Sequence, residues 1–258
     1  MAPEEIASAL AALRVRRPDV QIDLHWHASA TSTMDLASRL AAGGASHGAV
    51  VGADEQSAGR GRRGREWQSP AGAGLYVSMV TRPSLVATSL PLLTLAAGVG
   101  VREGIRNVTG LAADLKWPND LMIGRRKLAG ILAEGLALGT PEQAVIIGVG
   151  INVRPAAYPP DVALRATSLE GELGREFDRG AVLSEVLAGL WDGIAALERN
   201  CGDILQAWRA AAPSASGTRV EWDMKHGTTA GIDDGGALLV KTADGVERII
   251  SGELHWTI

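Results

Sequence analysis

The order of the apolar runs limits the fold of this chain more than any other feature. "HGAVVGADEQ" (47–56), "GLYVSMVTR" (74–82) and "EQAVIIGVGINV" (142–153) are short and nearly unbroken, as strands buried on both faces are. Around them lie stretches with helical spacing: 3–14, a segment beginning inside "TSTMDLASRL" with Ser32 or Thr33 as its cap, "SLPLLTLAAGVGVREGIRNV" (89–108), and two helices over 180–212. "VQIDLHWHA" (20–28) alternates as a first strand, and 112–135 reads as strand, interrupted loop and a hairpin around Gly124. Strands and helices do not alternate regularly, which argues against a doubly wound sheet. The expected class is α+β, a mixed β-sheet flanked by helices.

Near Thr218 the character changes. "TRVEWDM", "TTAGIDD", "ALLVKTA" and "ERIISGELHW" are short alternating segments separated by "KHG", "DDGG" and "ADG" turns, the pattern of successive hairpins. With "RAAAPSASG" (209–217) as the joint, the chain divides into a main domain at 1–213 and a small β-barrel-like domain at 214–258.

The glycine-rich segment "GRGRRGREWQSP" (59–70) carries four arginines in seven positions. Its G-x-G-x-x-G spacing is not a dinucleotide cradle. Gly64 is followed by "REWQSPAGAG", a poor helix, and 80–90 offers no acid for a ribose. A nucleic-acid patch explains the arginines but not the net charge of −4 or the 4% aromatic content. Too little chain precedes the first strand for a helix-turn-helix, so no nucleic-acid partner is expected. A solvated, salt-bridged loop is one remaining reading. The other is a clamp: guanidinium forks and glycine-exposed backbone N–H groups closing on a phosphate-bearing ligand.

Other segments add to the clamp. "KWPNDL" (116–121) groups Lys116, Trp117, Asn119 and Asp120 around a proline, either as an adenosine-phosphate site or as a strand-end turn with Trp117 in the core. In "RRKLAGILAE", an inward-pointing Lys127 must meet a carboxylate or a phosphate, because an unpaired buried ammonium is too costly. "GVGIN" (148–152) lets either a ligand or a neighbouring element approach its backbone. His25 and His27 share a strand face but have no evident third metal ligand. Cys201 is the only cysteine, and no run reaches the ~18 apolar residues of a membrane span. The start of the chain lacks a signal-peptide core, so a cytoplasmic protein without membrane partners is expected.

"STM" (32–34), "EQSAGRGRRGREW" (55–67), "KWPNDL", "KLAGIL" (127–132) and "GVGIN" resemble, in order and spacing, the motifs of biotin protein ligases, over roughly residues 25–155. The resemblance implies a core like that of class II aminoacyl-tRNA synthetases with a C-terminal SH3-like barrel. It implies that ATP and biotin, with Mg2+, form biotinyl-5'-adenylate, and that biotin then passes to a lysine of a biotin carboxyl carrier protein. Ser32, Thr33, Met34, Gln56, Gly59, Arg60, Gly61, Arg62 and Lys127 would bind biotin. Arg65, Trp67, Lys116, Trp117, Asn119, Asp120, Gly130, Gly148, Gly150 and Asn152 would bind ATP or the adenylate. Lys127, Arg62 and Arg65 would be catalytic, and Asp120 would hold the metal or orient the acceptor lysine. Met34 stands where the family commonly has Asn, whose amide bonds a thioether cannot replace. Lipoate ligases are the nearest related alternative, and monomer and homodimer are both open.

Overall fold

Helix α1 (Glu4–Arg16) buries Ile6, Leu10 and Leu13 along one face, with Glu4 and Glu5 in its first turn and Arg14 and Arg16 in its last, matching the helix dipole. It leads into a seven-stranded sheet. The strands are β1 (Asp23–Ala30), β2 (Ala49–Gln56), β3 (Gly74–Thr81), β4 (Asp114–Lys116), β5 (Asp120–Ile123), β6 (Arg126–Leu136) and β7 (Ala144–Asn152). Their spatial order is β1-β2-β3-β7-β6-β5-β4, with β1 and β2 parallel and the other pairs antiparallel. The sheet is therefore mixed, as the irregular element order predicts. The structure is a computed structural model and describes residues 1–84, 90–252 and 254–256.

Alternate residues of β7 serve two cores. Val145, Ile147 and Val149 face one, while Ala144 and Ile146 face the other. The larger core lies beneath α1, α3 (Leu90–Thr109), α6 (Arg179–Arg199) and α7 (Cys201–Ala211). Helices α3 and α6 meet at Gly100 and Gly189, where a Cβ on either would overlap the backbone of the other helix. By length and composition α6 could cross a membrane, but its apolar face is buried against α3 and α1, so it is a core helix. Ser89, the expected start of α3, lies outside the described residues. On the other face, α2 (Thr33–Ala42) covers Val51, Val80 and Ile146 with Met34, Ala37 and Ala41. Two short helices, α4 (Pro160–Ala163) and α5 (Leu169–Leu173), lie between β7 and α6.

A second sheet of five antiparallel strands follows: β8 (Ser216–Trp222), β9 (Lys225–Ile232), β10 (Leu238–Thr242), β11 (Gly245–Ile249) and β12 (His255–Trp256), in the order β11-β10-β9-β8-β12. The "DDGG" and "ADG" turns are where they were expected, but the "KHG" turn is not. Lys225–Gly227 belong to β9, and the chain reverses at Asp223 and Met224, both left-handed at φ 43 and φ 62. Gly227 marks a close approach, since a Cβ there would overlap the Lys241 carbonyl on β10. "ERIISGELHW" also divides, into β11 and the two-residue β12; Glu253 lies outside the described residues. This sheet is joined to the first where Trp117 Nε1, beside a cis peptide bond to Pro118, donates to Gly236 O at 3.0 Å.

Candidate functional site

On the α2 side of the main sheet, β2 runs into the arginine-rich segment, which folds as a short hairpin. Trp67 N–H donates to Gly59 O (2.8 Å), Gly61 N–H donates to Arg65 O (2.7 Å), and Arg60 pairs with Glu66 in antiparallel register. At its tip, Arg62–Gly64, both Arg63 (φ 56) and Gly64 (φ 72) are left-handed. Glycine adopts this geometry without steric cost, so the glycine at 64 suits the reversal. The hairpin lines a cavity of about 180 Å3 together with the β4–β5 turn and the backbones of β3, β6 and β7.

One end of this cavity is a network of uncharged polar groups. Thr33 donates through its N–H (2.8 Å) and its hydroxyl (3.1 Å) to Gln56 Oε1, and Gln56 Nε2 donates to Ser69 Oγ at 2.8 Å. With the Thr33 proton committed, the Ser78 hydroxyl donates to Thr33 Oγ1 across 2.8 Å. Ser32 occupies the N-cap position of α2 without capping it. Its Oγ is buried with no hydrogen-bond partner among the described residues, an arrangement that favours a bound donor or acceptor. Met34 packs its sulfur where a side chain on Gly148 would sit.

The other end is cationic. Lys127 Nζ lies 2.6 Å from Asp120 Oδ1 and 5.2 Å from the centre of the Trp67 ring. Arg62 Nη1 approaches Asn119 Oδ1 at 3.5 Å, while Asn119 Nδ2 donates to Ile131 O at 2.7 Å. Burial lowers the Arg62 pKa, partly offset by Asp120, but a guanidinium starts so far above neutrality that it keeps its charge. Burial also lowers the Lys116 pKa from 10.5, opposed by Asp120 and reinforced by Lys127 and Arg125. The Trp67 indole covers Gly130 and Gly150 so closely that a Cβ at either would overlap it. Its buried Nε1–H has no partner among the described residues.

A second cavity, of about 640 Å3, shares Arg65, Glu66, Trp67, Lys116, Asp120, Lys127 and Leu254 with the first. It extends past Asn152 and Tyr158 to Trp256. Asn152 is buried, donating to Thr167 O (3.0 Å) and accepting from Tyr158 OH (3.1 Å). Lys116 Nζ sits 4.4 Å above the Trp256 ring, so the second sheet reaches the cleft. Two chambers thus meet at a cluster of cations. Such a junction can bring two anionic ligands together by cancelling the repulsion between them.

Of the residues singled out in the sequence, Thr33, Met34, Gln56, Arg60, Gly61, Arg62, Arg65, Trp67, Lys116, Trp117, Asn119, Asp120, Lys127, Gly130, Gly148 and Gly150 line the first chamber. Asn152 lines the second. Ser32 and Gly59 are not among the lining residues, and a Cβ on Gly59 would overlap Trp67 O. Trp117 is 5% exposed and mainly a core side chain bonded to the second sheet. Arg60 forms ion pairs with Asp35 and Glu134. Ser69, Ser78, Tyr158 and Trp256 were not foreseen. Ser78 had a signal, a small polar residue in the buried strand "GLYVSMVT", whereas Trp256 arrives by tertiary packing alone. His25 pairs with Asp23 at 3.1 Å, and no group of three or more His, Cys, Asp or Glu among the described residues is placed to hold a metal.

Residues 26–152 match the biotin/lipoate A/B protein ligase family, and 221–254 match the biotin protein ligase C-terminal domain. The chain is 36% identical over 246 residues to the bifunctional ligase/repressor BirA of Bacillus subtilis, covering 90% of this chain and 73% of that protein. It is also 36% identical to the biotin–[acetyl-CoA-carboxylase] ligase of Paracoccus denitrificans, covering 83% of this chain and 92% of that one. The biotin protein ligase of Aquifex aeolicus in complex with biotin and ATP superposes with a TM-score of 0.76 at 30% identity, covering 91% of this chain and 98% of that one.

Proposed function

The chain belongs to the biotin protein ligase family, and we infer from this membership that it is an ATP-dependent biotin ligase acting through an adenylate. The observation that carries the reading is the meeting of two chambers at Lys127, Lys116 and Arg65, with Arg62 lining the smaller chamber and a neutral polar network at that chamber's far end.

In this reading the ureido ring of biotin lies against Thr33 and Gln56, which line the smaller chamber, with the unpartnered Ser32 Oγ as a further contact, and its carboxylate reaches Lys127. ATP occupies the larger chamber beside Trp67 and Asn152. A carboxylate oxygen attacks the α-phosphorus, the bond to the β-phosphate breaks, and pyrophosphate leaves with that electron pair. Lys127, Lys116, Arg62 and Arg65 offset the charge gathering on the phosphoryl oxygens. A neutral lysine amine of the carrier then attacks the acyl carbon, forming the amide and releasing AMP and a proton. Mg2+ is commonly held by one or two carboxylates together with substrate phosphates, and Asp120 fits as such a ligand. Asp120, which lines both chambers, would either hold Mg2+ or orient the acceptor lysine. The mixed anhydride is water-labile, so the arginine hairpin serves as its cover.

The same reading assigns catalysis to residues 1–213 with 214–258 as a smaller domain. It locates the reaction in the cytoplasm on a biotin carboxyl carrier domain, without nucleic-acid or membrane partners, in a monomer or homodimer. The test is transfer of labelled biotin to a carrier domain by purified protein with ATP and Mg2+. Biotin should be transferred and lipoate should not; preferential transfer of lipoate would overturn the assignment.

A further inference from the structure

Arg60 belongs to the sequence segment expected to clamp a ligand and lines the smaller chamber, yet its guanidinium is held by two acids that line neither chamber. Nη1 lies 2.7 Å from Asp35 Oδ1 in the first turn of α2, and Nη2 lies 2.5 Å from Glu134 Oε1 on β6. One planar fork therefore bridges two acids on separate elements of the scaffold. Arg60 stands between the hairpin's base, where Gln56 pairs with Ser69, and its tip at Arg62–Gly64. A tie at this position restrains the tip while leaving it able to hinge. All three side chains are partly solvent-exposed, at 39%, 46% and 34%. The tie is consequently weak enough to open and sensitive to salt.

We propose that Asp35 and Glu134 are positioning residues that hold the arginine hairpin closed through Arg60, so that closure of the cover is set by a salt-sensitive clasp whose two acids lie outside the ligand chambers. This deepens the ligase reading, because a closed hairpin is what retains the adenylate. Neither acid lines a chamber. Removing their charge should therefore alter how long the cover stays shut without altering the charge around the reacting atoms.

The experiment pairs Asp35→Asn with Glu134→Gln in the full chain and measures two quantities. The first is tryptic cleavage after Arg60, Arg62, Arg63 and Arg65 in the ligand-free protein, which does not depend on activity. The second is the fraction of labelled biotinyl-adenylate lost to solution rather than transferred. The double variant should be cut about three- to tenfold faster, the range that two such ion pairs can supply, and should leak adenylate in proportion. Salt should speed cleavage of the wild type but hardly affect the variant, and Asp35→Glu, which keeps the charge, should restore much of the protection. An unchanged thermal midpoint in the variant separates a local opening from general unfolding. Unchanged hairpin cleavage and adenylate retention in the double variant would overturn the clasp. If cleavage shifts as expected but the wild type forms no adenylate, the clasp stands and the ligase reading fails.

Discussion

Lys116 and Lys127 face the same junction but are held differently. Lys127 is ion-paired to Asp120, whereas Lys116 rests over the Trp256 ring and has its pKa lowered by burial. In the ligand-free protein Lys116 therefore loses its proton below the ordinary 10.5. A phosphate beside it favours the charged form, so ATP should bind with proton uptake and more weakly as pH rises through the lowered value. Titrations of ATP affinity from about pH 7 to 10 should show this decline, and Lys116→Met should flatten it. The stability linkage has the opposite sign. Between the lowered folded pKa and 10.5 the unfolded chain binds more protons than the folded one, so this group's contribution to the stability of the free protein rises with pH across that window.

Strands β6 and β7 contribute to the site through what they omit. Gly130 and Gly150, paired with each other across the two strands, leave the space that the Trp67 indole fills. Gly150→Ala should displace that ring. The expected outcome is a shifted Trp67 emission, weakened nucleotide binding and a loss of about 1–3 kcal/mol in stability, the usual cost of overpacking. Trp67→Phe in the same background should recover part of the stability. The buried strands and long helices were readable in the sequence because each carries its own periodicity. The first hairpin of the second sheet was not: Gly227 drew the turn to itself, while Asp223 and Met224 make the left-handed reversal without a glycine. In the site, the glycine, arginine and lysine motifs were legible as local patterns. The pairing of Arg60 with Asp35 and Glu134 was not, since both acids are distant from it in sequence and no local rule brings them together.

The two sheets meet at the cleft. Trp117 ties the β4–β5 turn, which carries Asn119 and Asp120, to the Gly236 carbonyl, and Trp256 lies under Lys116. Trp117→Phe keeps most of the ring but leaves that buried carbonyl without its donor, at a cost of about 1–3 kcal/mol seen as a lower Tm. Trp256→Ala should leave biotin binding intact and weaken ATP binding by about three- to tenfold, the worth of a partly exposed cation–π contact. Equal losses for both ligands would instead indicate that the second sheet supports the site only by holding the fold. In the proposed reaction, fixed and hairpin-borne cations make attack of a carboxylate on a nucleotide possible. Biotin-dependent exchange of labelled pyrophosphate into ATP reports that step alone, without a carrier. Lys127→Gln should retain biotin binding within a few-fold and lose exchange by about 10²–10³, the cost of removing one such electrostatic contact. Exchange by Lys127→Gln at the wild-type rate would contradict the account.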